Sequence, residues 1–323
     1  MSSSFPALPS SEEVAAARDN IRGFAVQTPL LRLNANIPGR NIHLKLENLQ
    51  PLGSFKIRPA INVLKTMDPQ RLRHGVLTAS AGNFGQGLAF AARQIAVPAT
   101  VVVPDGSATT KAAALAELGA KVIRLPFEEW WTVLTTRRLA GESGVFIHPV
   151  AESAVIAGNA TIGAEILEQQ PECDAVVVPF GGGGLACGIG SVMRRMKPAV
   201  RMIVAESEAA QPAAAALANG RPVKVPHIQS FVDGMGSTTV LDEMWPLVRQ
   251  MVDRATCASF TQITEAIRFL AGRHHVIAEA AGAASVAAAM AGLAGDGNII
   301  CIVSGGNIDA PKLGAILNGR SPF

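Results

Sequence analysis

From residue 42 onward, short apolar runs alternate with longer segments of helical periodicity. Runs at 42–46, 75–79, 99–103, 121–125, 175–178, 201–205 and 299–303 are rich in Val, Ile or Leu. Gly, Pro or Asp bounds them, the pattern of buried parallel strands. Ala-rich stretches between them, such as 85–95, 109–118 and 156–169, predict helices. The alternation predicts an α/β fold of mainly parallel twisted sheets flanked by helices. A compact βαβαβ pattern within 75–150 predicts a small domain inserted into a larger one made of 1–74 and 151–323, with a cleft between them. Several predicted strands lead directly into a turn and a helix. Thr78 leads to Ser80-Ala81-Gly82-Asn83, Val103 to Pro104-Asp105-Gly106, and Val178 to Gly181-Gly182-Gly183-Gly184. Ligands of open α/β sheets gather at such carboxyl ends.

Composition narrows the class. The 323 residues are 49% hydrophobic and 16% charged, enough apolar material for one large or two closely associated domains. No apolar run reaches the roughly 18 residues that a spanning helix needs, so no membrane association is expected. The first residues lack a charged start, apolar stretch and cleavage site, so a cytoplasmic location is expected. A formal charge of +3 without a basic cluster gives no nucleic-acid signal. Cys173, Cys187, Cys257 and Cys301 are scattered without metal-ligand spacing and read as small buried thiols. His274 and His275 are adjacent and form no ligand pair. Tyrosine is absent, which excludes a phenol as acid or base.

Three segments point to chemistry. The chain has eight lysines against twenty arginines, and Lys56 lies in Gly53-Ser54-Phe55-Lys56-Ile57-Arg58. A primary amine can form a Schiff base with an aldehyde, which a guanidinium cannot. The glycines at 181–184 follow a predicted strand and precede a predicted helix, so their N–H groups can turn toward an anion with no Cβ in the way. The helix start adds a partial positive charge suited to phosphate. A dinucleotide fingerprint fits poorly. Cys187 occupies its third glycine position when it starts at Gly182, and Leu185 breaks it when it starts at Gly183. An NAD-linked dehydrogenase, supported by an acid at Glu206, would leave Lys56 and Asn83 without a role.

Four signatures in order now carry a resemblance. Ser54-Phe55-Lys56-Ile57-Arg58, Ser80-Ala81-Gly82-Asn83-Phe84-Gly85-Gln86-Gly87, Gly181 to Leu185, and Ser304-Gly305-Gly306-Asn307 resemble those of fold-type II pyridoxal-phosphate enzymes. The match is closest to the serine/threonine dehydratase and serine racemase branch and covers about residues 15 to 315. It implies the two-domain, tryptophan synthase β-like architecture, pyridoxal 5'-phosphate as cofactor, and a homodimer. Lys56 would hold the cofactor and then take the substrate's Cα proton. Phe55 would pack on the ring and Asn83 would hydrogen-bond its phenolic oxygen. Gly181, Gly182, Gly183, Gly184 and Leu185 would bind the phosphate, and Ser304 would face the pyridine nitrogen. A hydroxyl there is a weak partner for that nitrogen, which suits elimination. Ser80, Ala81, Gly82 and Asn83 would grip the substrate carboxylate.

The implied reaction is a dehydratase (ammonia-lyase) step: a β-hydroxy-α-amino acid of serine or threonine type gives a 2-oxo acid and ammonia. Racemases of the branch carry a second serine where Ala81 stands, and a methyl cannot transfer a proton. Ala81 therefore favours dehydration over racemisation. Phe84 and Trp131 stand where the branch often has a histidine and an arginine. With Trp130, they point to a larger apolar β-substituent such as the phenyl of 3-phenylserine and away from 3-hydroxyaspartate. The branch's metal position matches Glu206 and the Ala210 carbonyl. Pro212 takes the third ligand position and has no donor side chain, so a divalent cation set is incomplete. The chain reaches Phe323 soon after the fourth signature, so feedback through an added regulatory domain is not expected. The alternatives are a serine racemase or hydroxyaspartate dehydratase of the same family, or a β-replacing synthase on the same cofactor, with a non-catalytic binding protein behind them.

Overall fold

The structure is a computed structural model. It describes residues 5–80, 82–107, 109–320 and 322, without the side chains of Thr109 and Thr110. Its strands are β1 (Leu30–Arg32), β2 (Arg40–Lys45), β3 (Val76–Ala79), β4 (Ala99–Pro104), β5 (Lys121–Leu125), β6 (Val145–Phe146), β7 (Ala175–Pro179), β8 (Arg201–Ser207), β9 (Arg254–Ala258) and β10 (Gly297–Ile302). Among the described residues they form two sheets, ordered β1-β2-β10-β7-β8-β9 and β5-β4-β3-β6. Every pairing is parallel except β1 with β2. Each of the seven apolar runs read from the sequence lies on a strand. β1, β6 and β9 were not anticipated, and all three are sheet edges with partly exposed residues. Edge position alone does not hide a strand, since β5 is also a partly exposed edge; β1 and β6 are only three and two residues long, and β9 holds no Val, Ile or Leu.

Period-two alternation divides the core. Along β7, Ala175 and Val177 face one apolar layer while Val176 and Val178 face the other. Along β10, Ile299 and Cys301 join the first layer while Ile300 and Ile302 join the second. The smaller sheet repeats the scheme, with Val101 and Val103 of β4 on one side and Val102 on the other. No helix among the described residues is long and apolar enough to cross a membrane. Cys173, Cys187 and Cys301 are buried and Cys257 is half-buried, all as free thiols.

A dry charged cluster pins the segment after Lys56. Arg58, at the start of the helix Ile57–Thr66, gives Nε and Nη2 to the two Glu47 oxygens at 2.8 and 2.9 Å. Its Nη1 and Nη2 donate to the two Glu165 oxygens at 2.6 and 2.8 Å. Lys45 Nζ adds bonds of 2.6 Å to Glu165 and 2.8 Å to the Thr28 carbonyl. Thr28 Oγ1 donates to Glu47 at 2.6 Å. Arg58, Lys45 and Glu47 are fully buried, so two cations meet two carboxylates where water cannot screen them. Glu165 projects from the helix Ser153–Gln169, and the cluster therefore joins the β2 end, the helix after Lys56, and that helix.

Removing one member of such a pairing strands the others. Replacing Arg58 with Met should lower the unfolding free energy by about 3–5 kcal/mol. Urea unfolding should show the midpoint fall with little change in slope. A midpoint equal to wild type would mean that the cluster does not anchor this helix.

Candidate active site

Strand ends converge on one cavity of about 440 Å³. Ala79 and Ser80 come from the end of β3, Pro104 from β4, Pro179 and the glycines from β7, and Ser304 from just beyond β10. Both sheets thus direct their carboxyl ends into a shared space, as open α/β sheets do with ligands. Ser80 N–H bonds the Val102 carbonyl at 3.0 Å, and Phe55 N–H bonds the Ser304 carbonyl at 3.0 Å. These bonds fix the first, second and fourth signatures relative to the sheets.

Lys56 lies in this cavity, half-buried. Its Nζ donates to the Pro149 carbonyl at 3.2 Å and lies 4.9 and 5.4 Å from the ring centroids of Phe55 and Phe84. Burial pulls the ammonium down to about 8, against the attraction of Glu279. A carbonyl, unlike a carboxylate, does not hold the amine in its charged form. Such an amine can act as a nucleophile or base near neutral pH.

Asn83 begins the helix Asn83–Gln94, and both ends of its amide are engaged. Nδ2 donates to Glu279 Oε1 at 2.8 Å, while Oδ1 accepts from Asn307 Nδ2 at 2.8 Å. Asn307 also donates to the Leu52 carbonyl at 2.9 Å. This pattern assigns the orientation of the Asn83 amide and leaves its second N–H for a ligand. Glu279 precedes the helix Ala280–Met290, lines the cavity, and is pushed up to about 7 by burial, against the Asn83 bond and the Lys111 charge. Sequence reasoning missed Glu279. Its signal was an acid at the head of the otherwise apolar run 276–291, where an unpaired charge seldom sits.

The glycine run shapes the opposite wall. Gly183 has φ +90°, in the left-handed region, and is the N-cap of the helix Gly184–Met196. No side chain caps that helix, so its first N–H groups are available to an oxyanion. A Cβ on Gly182 would stand 2.7 Å from Val150 Cγ2. Only a bare backbone leaves both the close loop and the anion room.

The remaining expected residues divide. Gly181, Gly182, Gly183, Gly184, Leu185, Phe55, Ser304, Ser80 and Gly82 all line the cavity. Phe84 also reaches it, but at 2% exposure most of its ring belongs to the core under Lys56. Ala81 lies outside the described residues. Trp131 requires correction: it does not line the cavity, whereas Phe127, Trp130 and Leu134 do. These three share one face of the helix Phe127–Thr136 at i, i+3 and i+7, and Trp131 is turned about 100° from Trp130. Trp130 Nε1 donates to the Val102 carbonyl at 3.1 Å, which fixes its indole. Trp131, like Trp130, packs on the core of the smaller sheet.

Glu206 and Ala210 do not line the cavity. The two Glu206 oxygens accept N–H bonds from Ala213 and Ala214 at 2.7 and 2.9 Å, in the first turn of the helix Pro212–Asn219. The carboxyl thus acts as a cap for that helix. Among the described residues, no group of three or more His, Cys, Asp or Glu is placed to hold a metal.

Comparison with known proteins places this arrangement. The family model described as pyridoxal-phosphate dependent enzyme matches residues 21–305. An L-threonine ammonia-lyase of Thermotoga maritima is 36% identical over 313 residues, spanning 95% of this chain and 78% of that protein. A catabolic L-threonine dehydratase of Staphylococcus aureus is 32% identical over 315 residues, spanning 94% and 91%. The solved structure of maize serine racemase superposes with a TM-score of 0.89 at 29% identity, covering 97% of this chain and 98% of that one.

The two shifted groups predict how cavity electrostatics act on stability. Glu279 holds its proton more tightly folded than unfolded, so its contribution weakens as pH rises from 4.5 to about 7. Lys56 releases its proton more readily folded, so its contribution weakens as pH falls from 10.5 to about 8. The cofactor-free protein should therefore carry its largest penalty from these two groups between about pH 7 and 8. Thermal unfolding should show Glu279→Gln gaining stability over wild type at pH 7.5 and losing that gain toward pH 5, where Glu279 is neutral in the fold. An equal gap at both values would contradict the assignment.

Proposed function

The chain belongs to the pyridoxal-phosphate dependent enzymes, and within that family we propose a dehydratase that converts a β-hydroxy-α-amino acid to a 2-oxo acid and ammonia. It is a pyridoxal-phosphate-dependent lyase of the threonine/serine type. The observation that carries the reading is the half-buried Lys56 amine, held by a carbonyl in the same cavity as Asn83, Ser304 and the uncapped helix start at Gly184.

The residues suit the cofactor. The glycine run and Leu185 would hold its phosphate, Phe55 would lie against its ring, Asn83 would donate its free N–H to the phenolic oxygen, and Ser304 would face the pyridine nitrogen. When bound through an amine, pyridoxal phosphate supplies an electron sink that acidifies the amino acid's Cα–H. Lys56 would be placed to take that proton. Ser80 and the backbone that follows it would orient the substrate carboxylate so that the Cα–H faces the amine. The proton taken by Lys56 would then pass to the departing β-hydroxyl, releasing water, and a second water would hydrolyse the product to the 2-oxo acid and ammonia. With Ala81 in the carboxylate turn, that position offers no acid for delivering a proton to the opposite side of Cα, which supports elimination over racemisation.

Substrate selectivity rests on the wall formed by Pro104, Phe127, Trp130, Leu134 and Met235. This surface is apolar, and ring centroids of Phe127 and Trp130 lie 5.6 Å apart. Among the described lining residues, the cations are Lys56 and Lys111, and Lys111 is already paired with Asp233 at 3.3 Å. A second substrate carboxylate would find no free guanidinium there. An aromatic β-substituent would cover the wall and gain from its burial. The wild-type enzyme is therefore expected to release ammonia and a 2-oxo acid from 3-phenylserine and threonine, and to turn over 3-hydroxyaspartate less efficiently.

Two variants test this reading. Lys56→Ala should lose steady-state ammonia release together with the visible band of the lysine-linked cofactor. Trp130→Ala should lower kcat/KM for 3-phenylserine by about ten- to a hundredfold while changing threonine by less than about threefold. A wild type that prefers 3-hydroxyaspartate to both others would contradict the apolar-wall assignment.

A further inference from the structure

The loop after β6, residues 147–152, lies between Lys56 and the glycine run. His148, at its head, is 3% exposed and has no place in the chemistry described above. Its Nδ1 accepts N–H bonds from Val150 at 3.1 Å and Ala151 at 2.8 Å. Both bonds require an unprotonated Nδ1, which assigns the ring proton to Nε2, 4.0 Å from Glu243 Oε1. Burial, reinforced by Arg137 and Lys56, pushes this imidazole down to about 3. The ring therefore stays neutral and keeps both acceptor bonds throughout the working pH range.

The residue enclosed by those bonds is Pro149. Proline has no N–H, so Pro149 presents only its carbonyl, and that carbonyl accepts the Lys56 Nζ bond at 3.2 Å. Val150, the next residue, packs where a Cβ on Gly182 would stand. One imidazole thus shapes a turn that touches the amine at one end and the glycine cradle at the other.

We infer that His148 is a positioning residue for the lysine base: its neutral Nδ1 folds the turn that holds the Pro149 carbonyl on the Lys56 amine. The inference rests on the reading of Lys56 given above. A neutral amine has two N–H bonds and one lone pair. With one N–H committed to a fixed carbonyl, the lone pair has fewer directions to sample and can stay on the substrate's Cα–H. A carboxylate in the carbonyl's place would favour the ammonium and remove the base.

Substitutions that imitate one ring nitrogen at a time provide the test. In His148→Asn, Oδ1 occupies the Nδ1 position and can accept the same two N–H groups as an Asx turn. In His148→Gln the amide reaches only the Nε2 position, and His148→Leu imitates neither. All three holoenzymes should keep the visible band of the lysine-linked cofactor. His148→Asn should keep kcat within about threefold of wild type. His148→Gln and His148→Leu should each lose about thirtyfold or more, with KM within about twofold, because a misdirected base slows the chemical step more than binding. The band change on mixing with substrate should slow in the same two variants. Where His148→Leu does not fold, His148→Gln decides. The inference is overturned if Gln restores activity and Asn does not, if Asn falls as far as Gln, or if Gln retains wild-type kcat. Persistence of the band and of activity in Lys56→Ala would instead refute the reading of Lys56 itself.

Discussion

Arg58 holds two carboxylates in the dry interior, and the position of the reactive amine depends on that pairing. Glu47 follows β2 and Glu165 belongs to the helix Ser153–Gln169, so the guanidinium ties the start of the Lys56 helix to two other elements. Lys45 and Thr28 complete the pairing, and no member of this group lines the cavity. A planar five-donor group can serve both carboxylates at once, which a lysine's single ammonium could not do with the same geometry. The network's function is mechanical. It fixes the start of the helix two residues beyond Lys56, where the proposed chemistry would take place.

Within the cavity the electrostatic logic is one of withheld charge. Lys56 is offered a carbonyl in hydrogen-bond reach, and its nearest influential acid, Glu279, is occupied with Asn83. Burial pulls the amine toward about 8 and pushes the carboxyl toward about 7, bringing two groups of opposite type close together near neutrality. His148 takes the same principle further: its imidazole is kept neutral and used only as an acceptor. The glycine run supplies the complementary feature, a place for negative charge made from backbone N–H groups alone.

Much of this was legible in the sequence. Central strands such as β7 and β10 are buried on both faces, so their apolar runs identify them. β6 is only two residues long and β9 holds no Val, Ile or Leu, so nothing in their composition marks them. Lys56, Asn83, Ser304 and the glycines could be found because each lies in a short segment with a distinctive local composition. Glu279 was marked only as an acid within an otherwise apolar run, and Pro149 by nothing local, because both reach the cavity from elements distant in the chain. Of the two tryptophans expected at the substrate wall, Trp130 lines the cavity and Trp131 does not, because adjacent helical residues point about 100° apart. Arg58 stood beside Lys56 in the sequence, but its two carboxylate partners come from distant segments, and pairing over such separations is a property of the fold.

Lys56 is proposed to carry the cofactor and to supply the base. Borohydride reduction of the holoenzyme fixes a lysine-linked cofactor permanently, and peptide mass mapping then locates it. A single labelled peptide containing Lys56 is expected, with loss of that label when a β-hydroxy amino acid is added before the reductant. Label on another lysine, such as Lys45 or Lys111, or label on Lys56 that no amino acid displaces, would contradict it.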